Sequence, residues 1–438
     1  MSRNTLGIRR ETKSFFERRV PLTPEAVGML IRSADARVLV ERSDARVFLN
    51  EAYEAVGAEL VDDASDADVV IGVKEIPTAL FREFGTYLFF SHVIKGQAQN
   101  MGMLRRLVDL RCTLLDYEKI TSDDGRRLIF FSWYAGVAGV VDTLYALGRR
   151  LEGQGVSNPF SALDRTWEYG ELALVEEAFR DLGRSIRHDG LPEQLAPFVV
   201  GITGYGNTSR GAQHLLRMLP YQEITPDELP ALRARTDVRR DRITLVVFKE
   251  EHTVVPRDEG VAFDLQDFFD HPERYRGAFE RHAVHLDVLF NCIFWTEASP
   301  RLLTRDFLRQ SFAGDEPPRL KAVGDISCDI EGAIECLTHV TTPDVPAFVY
   351  DPARDEAIDG NDGPGLLVMG VDFLPGELPK DASEDFSEVL LPMMPALLDT
   401  DFTLPPEALD LPGSMKRAII LLRGEFMPEY RYLERFLR

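Results

Sequence analysis

A chain of 438 residues is too long for one ordinary hydrophobic core, and its 45% hydrophobic and 28% charged content is that of a folded protein of two domains. A formal net charge of −22 argues against nucleic acid or an anionic membrane as partner, since the surface field repels both. No apolar run reaches the roughly 20 residues of a membrane span, and MSRNTLGIRRETK lacks the apolar core of a secretory signal, so a cytoplasmic protein is expected.

In chain order, ARVLV (36–40), DVVIGV (68–73) and TYLFF (86–90) are short apolar runs separated by segments of helical pattern. Such alternation predicts βαβ units and a mostly parallel sheet. PEAVGMLIRS and NMGMLRRLVDLR (100–111) are the helices between runs, the first opened by its proline. A long helix rich in small residues is expected over 134–155, closing at Gly153 or Gly155. The first domain boundary is placed in or just beyond it. A second αβ pattern starts after Pro197 with FVVGIT, and ITLVVF (243–248), VLFNCIFW (288–295) and LKAVGDIS (320–327) are further strands of the same sheet. Residues 249–285 read as a long irregular or helical excursion, and PARDEAIDGNDGPG as a loop. The expectation is an α/β protein of two Rossmann-like domains, with mostly parallel sheets and a cleft between them. Residues 1–150 form a substrate domain joined by 345–438, and 151–344 form a dinucleotide-binding domain.

The four cysteines (Cys112, Cys292, Cys328, Cys336) have no CxxC spacing, which argues against a disulfide framework or zinc site. No metal is expected; Asp325 and Asp329 have no histidine at useful spacing. Only eight of the 50 basic residues are lysine. That skew fits a salt-adapted host or a GC-rich genome alike, and it makes each lysine informative.

GITGYGNTSRG (201–211) places Gly204 and Gly206 after a strand and at the start of a helix, the context in which such glycines cradle a pyrophosphate. Asn207, Thr208, Ser209 and Arg210 open that helix. Ser209 stands where a third glycine is usual, and Gly211 follows it. Glu223, 19 residues after Gly204, is spaced to hold a ribose 2′-hydroxyl and to disfavour a 2′-phosphate, which Arg210 could offset. Asn291 and Cys292, ending one strand, and Asp325, ending the next, would face the nicotinamide. The cofactor is NADP(H) or NAD(H).

Ligands gather at the carboxyl ends of parallel strands. GVKEIP puts Lys74 at such an end, and LFFSHVIKGQ puts His92 and Lys95 at the next. A partly desolvated lysine beside other cations has its pKa lowered, which suits it to proton transfer. Lys74 and His92 form an acid/base pair in this reading. Asp116, Tyr117 and Glu118 follow the next apolar stretch, with Arg126, Arg127 and Phe131 after them. RRETKSFFERRVPLTP (9–24) gathers Arg9, Arg10, Lys13, Arg18 and Arg19 around Glu11 and Glu17, either a solvated face or a clamp for carboxylates.

These segments, with WYAGVAG, HPERY, PRLLTR, GDISCDIEGAIE and VDFLPGELPKDASEDF in the same order, resemble the lysine–2-oxoglutarate reductase half of bifunctional aminoadipate semialdehyde synthase. The chain is similar, more distantly, to lysine-forming saccharopine dehydrogenase and to alanine dehydrogenase and transhydrogenase. The resemblance implies reductive condensation of L-lysine and 2-oxoglutarate to saccharopine, or the reverse. It gives Lys74 and His92 the proton transfers, and Arg18 or Arg19, Lys95, Glu118 and Arg127 the substrate carboxylates, with Phe131 beside them. The partners implied are these small molecules; the oligomeric state is left open. The chain ends at Arg438, so onward oxidation of saccharopine is expected of a separate protein. Two other readings stay open: an alanine-dehydrogenase- or opine-type enzyme, and a dinucleotide-binding regulator without turnover.

Overall fold

The computed structural model describes residues 5–235, 237–314 and 318–437. They divide into two units: residues through Phe130 together with those from Pro379, and Phe131–Leu378.

The first unit begins with β1 (Thr5–Ile8), α1 (Pro24–Ala34), β2 (Arg37–Glu41), α2 (Asn50–Ala55), β3 (Glu59–Val61), β4 (Val69–Ile71), β5 (Thr86–Phe89), α3 (Ala98–Asp109) and β6 (Thr113–Asp116). All six strands pair in parallel. Strands buried on both faces need apolar side chains on both, which is why β4 and β5 read as continuous apolar runs. α1 starts where Thr23 accepts a hydrogen bond from the Ala26 amide, and it stops at Asp35, whose φ of 46° cannot continue a helix. β1 and β3 were not among the expected strands; four and three residues are too few to show a period.

The second unit runs α4 (Ser132–Gly153), α5 (Thr166–Tyr169), α6 (Leu172–Asp189), β7 (Phe198–Thr203), α7 (Asn207–Leu216), β8 (Tyr221–Glu223) and β9 (Ile243–Phe248). A two-stranded ribbon of β10 (Val254–Pro256) and β11 (Tyr275–Gly277) follows, then β12 (Val288–Asn291), β13 (Ala322–Asp325), β14 (Ala347–Asp351), β15 (Glu356–Asp359) and β16 (Leu366–Met369). The main sheet has the order β15-β14-β16-β13-β12-β7-β9-β8. Only β14 runs against the rest, pairing antiparallel with β15 on one side and β16 on the other. The strand beside β7 is therefore β9, and β8, although earlier in sequence, lies one place further out.

α4 crosses α7 at two glycines. A Cβ on Gly136 would lie 1.9 Å from the Thr208 carbonyl oxygen, and one on Gly211 would lie 2.0 Å from that of Trp133. Gly211 thus serves helix–helix contact, and the third position of the glycine motif is filled by Ser209, fully buried.

The chain returns to the first unit with β17 (Ile419–Leu422) and β18 (Glu425–Phe426), β17 pairing antiparallel with β6. The division differs from the expected boundaries at 150 and 345. α4 lies wholly in the second unit, packed on α7 and β13, and β14–β16 extend the second sheet, so the return begins only at Pro379. The segment expected as a loop holds β15, a polar edge strand whose partner is β14 on one side only. With no face to bury it carries no apolar signal. VLFNCIFW is a strand only through Asn291.

Asp142 of α4 and Glu377 are both buried and lie against each other. Asp142 Oδ1 accepts from the Thr166 amide (2.8 Å) and hydroxyl (2.9 Å). Asp142 Oδ2 has no donor of its own and the Glu377 carboxyl has the Trp167 amide besides Asp142, so the pair is expected to share a proton. Burial pushes Asp142 up to about 6, and burial and the Asp142 charge push Glu377 well above the ordinary range. Groups with raised folded-state pKa values stabilise below their unfolded pKa and lose that contribution as pH rises through the folded value. The second unit is therefore expected to melt at lower temperature as pH rises from about 5 through 6 and beyond. Glu377→Gln, which brings its own donor, should flatten that slope in thermal unfolding at pH 5, 6.5 and 8; an unchanged slope would place its origin elsewhere.

Candidate active site

In the first unit, adjacent parallel strands β4 and β5 deliver Lys74 and His92 to the same edge of the sheet. Their pairing carries Val69–Ile71 alongside Thr86–Leu88, and the Phe90 amide then donates to the Val73 carbonyl at 3.0 Å. Lys74 is largely buried, and its pKa is lowered by desolvation first and by Arg19 second, with Glu17 and Glu75 opposing. Beneath it, the Glu11 carboxylate accepts from the Val73 (2.7 Å) and Lys74 (3.0 Å) amides. Burial and the neighbouring Glu17 push Glu11 up to about 7.

Glu75 ties the group together. Its Oε1 receives His92 Nδ1 at 2.8 Å and Lys13 Nζ at 2.6 Å. Burial raises its pKa, but the bonds from His92 and Lys13 outweigh that and bring it down to about 2. A carboxylate only accepts, so Nδ1 carries the hydrogen and Nε2 is left for proton exchange with a ligand. His92 has φ 49°, a left-handed backbone that a non-glycine residue keeps only when its surroundings hold it. Asn100 Nδ2 on its carbonyl (3.1 Å) and Glu75 on its ring supply that hold. Asp116, raised to about 6 by burial, accepts from the Ser91 amide and hydroxyl next door.

Of the two arginines proposed for carboxylates, the structure brings Arg19 to Lys74, where it pairs bidentately with buried Glu17 at 2.8 and 2.5 Å. Arg18 instead donates to the Ala45 carbonyl at 3.3 Å. Glu118 and Arg127 pair at 3.1 Å, with the guanidinium 6.0 Å from the Phe90 ring centre. Lys95 is exposed, and Phe131 begins the second unit. Glu75 was not singled out from sequence, and Glu11 and Lys13 were named only as members of the charged 9–24 segment. Glu75 sits beside Lys74 in GVKEIP, but nothing local tells a carboxylate that orients a histidine from one at the surface.

In the second unit, a cavity of about 720 Å³ opens at the carboxyl ends of β7, β9, β12 and β13, bounded by Gly204, Gly206, Thr208, Lys249, Cys292 and Asp329 among others. That volume suits an organic ligand or cofactor. Gly204 has φ 86°, and a Cβ on Gly206 would meet nothing within 4 Å, so the backbone stands open to a bound group. α7 has no side-chain cap. Its first amides are thus available to an anion. The residues fit a dinucleotide. Asn291 and Asp325 do not face the cavity as expected. Both are fully buried beneath it, Asn291 bridging Thr203 Oγ1 (3.0 Å) and Asp325 Oδ1 (2.8 Å). Burial pushes Asp325 up to about 7. Glu223 is also misplaced by spacing: β8 is the outermost strand, and its carboxylate pairs with Arg217 at 3.0 Å. Tyr205, Lys249 and Glu250, which line the cavity, were missed because strand order is not written in spacing. Among the described residues no group of His, Cys, Asp and Glu could hold a metal ion, and no helix is long and apolar enough to cross a membrane.

Two eight-stranded, mostly parallel sheets, one carrying the lysine–histidine edge and the other the glycine cradle, define a two-domain α/β protein with the fold of alanine dehydrogenase and transhydrogenase. An L-alanine dehydrogenase matches 99% of this chain and all of its own at TM-score 0.62 and 17% identity. The transhydrogenase from Sinorhizobium meliloti matches 97% at 0.57 and 15%. Residues 7–138 match the family described as Alanine dehydrogenase/PNT, N-terminal domain. In sequence the chain is 35% identical to alpha-aminoadipic semialdehyde synthase of Arabidopsis thaliana, over 99% of this chain and 42% of that protein. It is 32% identical to the mitochondrial synthase of Bos taurus, over 98% and 47%. It is 27% identical to the saccharopine dehydrogenase (NAD(+), L-lysine-forming) of Yarrowia lipolytica, over 90% and 93%. The chain is thus similar over nearly its whole length to these proteins, and it spans about half the length of the synthases it matches.

Proposed function

We propose that this protein is an NAD(P)-dependent oxidoreductase that joins L-lysine to 2-oxoglutarate as saccharopine, or runs the reverse. The observation that carries this is the edge where Lys74 and His92 meet around Glu75, with Arg19 and Lys13 beside them. The substrates together bring three carboxylates, and this edge gathers four basic side chains in a chain of net charge −22.

The amine attacks the 2-oxo carbon only as the free base, so a proton must leave the lysine substrate. The carbinolamine then loses water, which needs a proton delivered to its hydroxyl, giving the imine. Lys74, with its pKa lowered, is suited to exchange a proton with the reacting nitrogen or hydroxyl; His92 Nε2, oriented through Nδ1, takes or returns the other. Arg19 and Lys13 offset the Glu17 and Glu75 carboxylates they pair with, so that this edge does not repel an anionic substrate, and Glu11 keeps Lys74 at its station through the Val73 and Lys74 amides. Gly204, Gly206 and the first α7 amides would hold a dinucleotide, which would supply or accept the hydride.

Absorbance of reduced cofactor, followed with 2-oxoglutarate plus lysine and then with pyruvate plus ammonia, tests this. Lysine-dependent oxidation that yields saccharopine is the expected result. Turnover only with ammonia would make the protein an alanine-dehydrogenase-type enzyme, and binding without turnover a regulator.

A further inference from the structure

We propose that Asp116 is a positioning residue that fixes His92 for proton transfer; this rests on the functional reading above. Asp116 ends β6, where it pairs with Phe89 of β5, and both Asp116 and Ser91 are fully buried. Beyond Phe89 the chain leaves the sheet. The Phe90 amide still finds the Val73 carbonyl at 3.0 Å, but the Ser91 amide finds the Asp116 side chain in place of a strand. A buried amide needs such an acceptor.

Asp116 Oδ2 accepts from the Ser91 amide at 3.1 Å and from the Ser91 hydroxyl. Its Oδ1 accepts from the Glu118 amide at 2.8 Å, which caps the short turn Tyr117–Lys119. The carboxylate is therefore locked from one side and holds Ser91 with the other. All three partners donate, which suits the ionised form, and a bond to a charged acceptor is stronger than one to a neutral oxygen. His92 follows directly, at φ 49°. A non-glycine residue relaxes out of that conformation unless its flanks are held. Asn100 on the His92 carbonyl holds the flank after it, and Asp116 on Ser91 holds the flank before it. With the second hold gone, the backbone is free to return to negative φ. The Cα–Cβ bond then turns, and the imidazole leaves Glu75 and carries Nε2 away from the ligand. Asp116, fully buried, acts only through this chain of contacts.

Turnover with lysine, 2-oxoglutarate and reduced cofactor, compared in wild type, Asp116→Ala, His92→Gln and the double variant, tests the assignment. Asp116→Ala should lower kcat roughly 10- to 100-fold, the effect of a misplaced acid/base. In the His92→Gln background no imidazole remains to be placed, and the same change should cost less than about twofold. Asp116→Asn, which keeps one acceptor oxygen, should fall between Asp116→Ala and wild type. A loss of equal size in both backgrounds is what plain structural damage produces, and it overturns the proposal. A near-normal kcat in Asp116→Ala overturns it as well. If Asp116→Ala does not fold, Ser91→Ala runs the same cycle, since it removes the hydroxyl donor and leaves both amide bonds. A severalfold loss that vanishes with His92→Gln is then expected, and an equal loss in both backgrounds again overturns the proposal. Wild type without lysine-dependent turnover removes the functional reading, and this proposal with it.

Discussion

Lys74→Met is expected to lower kcat for lysine-dependent cofactor oxidation roughly 10²–10⁴-fold, the range of a lost general acid/base. Methionine keeps the length and apolar stem, so the pocket should hold its shape while losing the proton carrier. The residue sits in the first unit, and nucleotide binding at the glycine cradle of the second should be unaffected, which separates lost chemistry from lost folding. The limb of the kcat/KM–pH profile that reports Lys74 should vanish. Its position in the wild type should lie below that of an ordinary lysine, because burial and then Arg19 disfavour the ammonium. Near-normal turnover in Lys74→Met would remove Lys74 from the mechanism.

The largest effect on stability is expected at Asp287. It is fully buried just before β12, and its Oδ2 accepts from the Val199 amide (2.8 Å) and from Arg233 Nη2 (2.7 Å). Arg319 stands 3.2 Å from Oδ1. Burial raises the Asp287 pKa and the two arginines oppose it. Asp287→Ala takes the counter-charge from both guanidiniums, leaving Arg233 the His285 and Pro197 carbonyls and Arg319 the Pro197 carbonyl, and leaves the Val199 amide without its acceptor. Breaking a buried pair from one side costs about 3–5 kcal/mol. For a unit of this size that is a fall in Tm of roughly 10 °C. Removing the partner as well, in Asp287→Leu with Arg233→Met, should return part of the loss, since both charges of that pair are then gone. Thermal and urea unfolding measure both. A single variant within about 0.5 kcal/mol of wild type would show that the network contributes little.

Much of the fold was legible because apolar runs and turns are local signals. β2, β4, β5, β7 and β9 fall on the expected runs, and α1, α3 and α4 on the helical patterns. The missed elements are those whose signal is weak or non-local. β1 and β3 are too short to show a period, and β15 is a polar edge that exists because β14 lies beside it. The boundaries moved for the same reason: whether 345–378 joins one sheet or the other depends on β16 finding β13.

By itself the sequence determined the class of protein, the glycine cradle, and the strand ends that carry Lys74 and His92, because each is written in neighbouring residues. Only the tertiary structure decided which groups lie together. Glu75 reaches His92 across 17 residues of chain. Arg19 rather than Arg18 acts on Lys74, while Arg18 is held by the Ala45 carbonyl. Strand order puts β9 rather than β8 beside β7, so Glu223 stands one strand away from the glycine strand: spacing counts residues along the chain, while a ligand meets whichever strand lies next in the sheet.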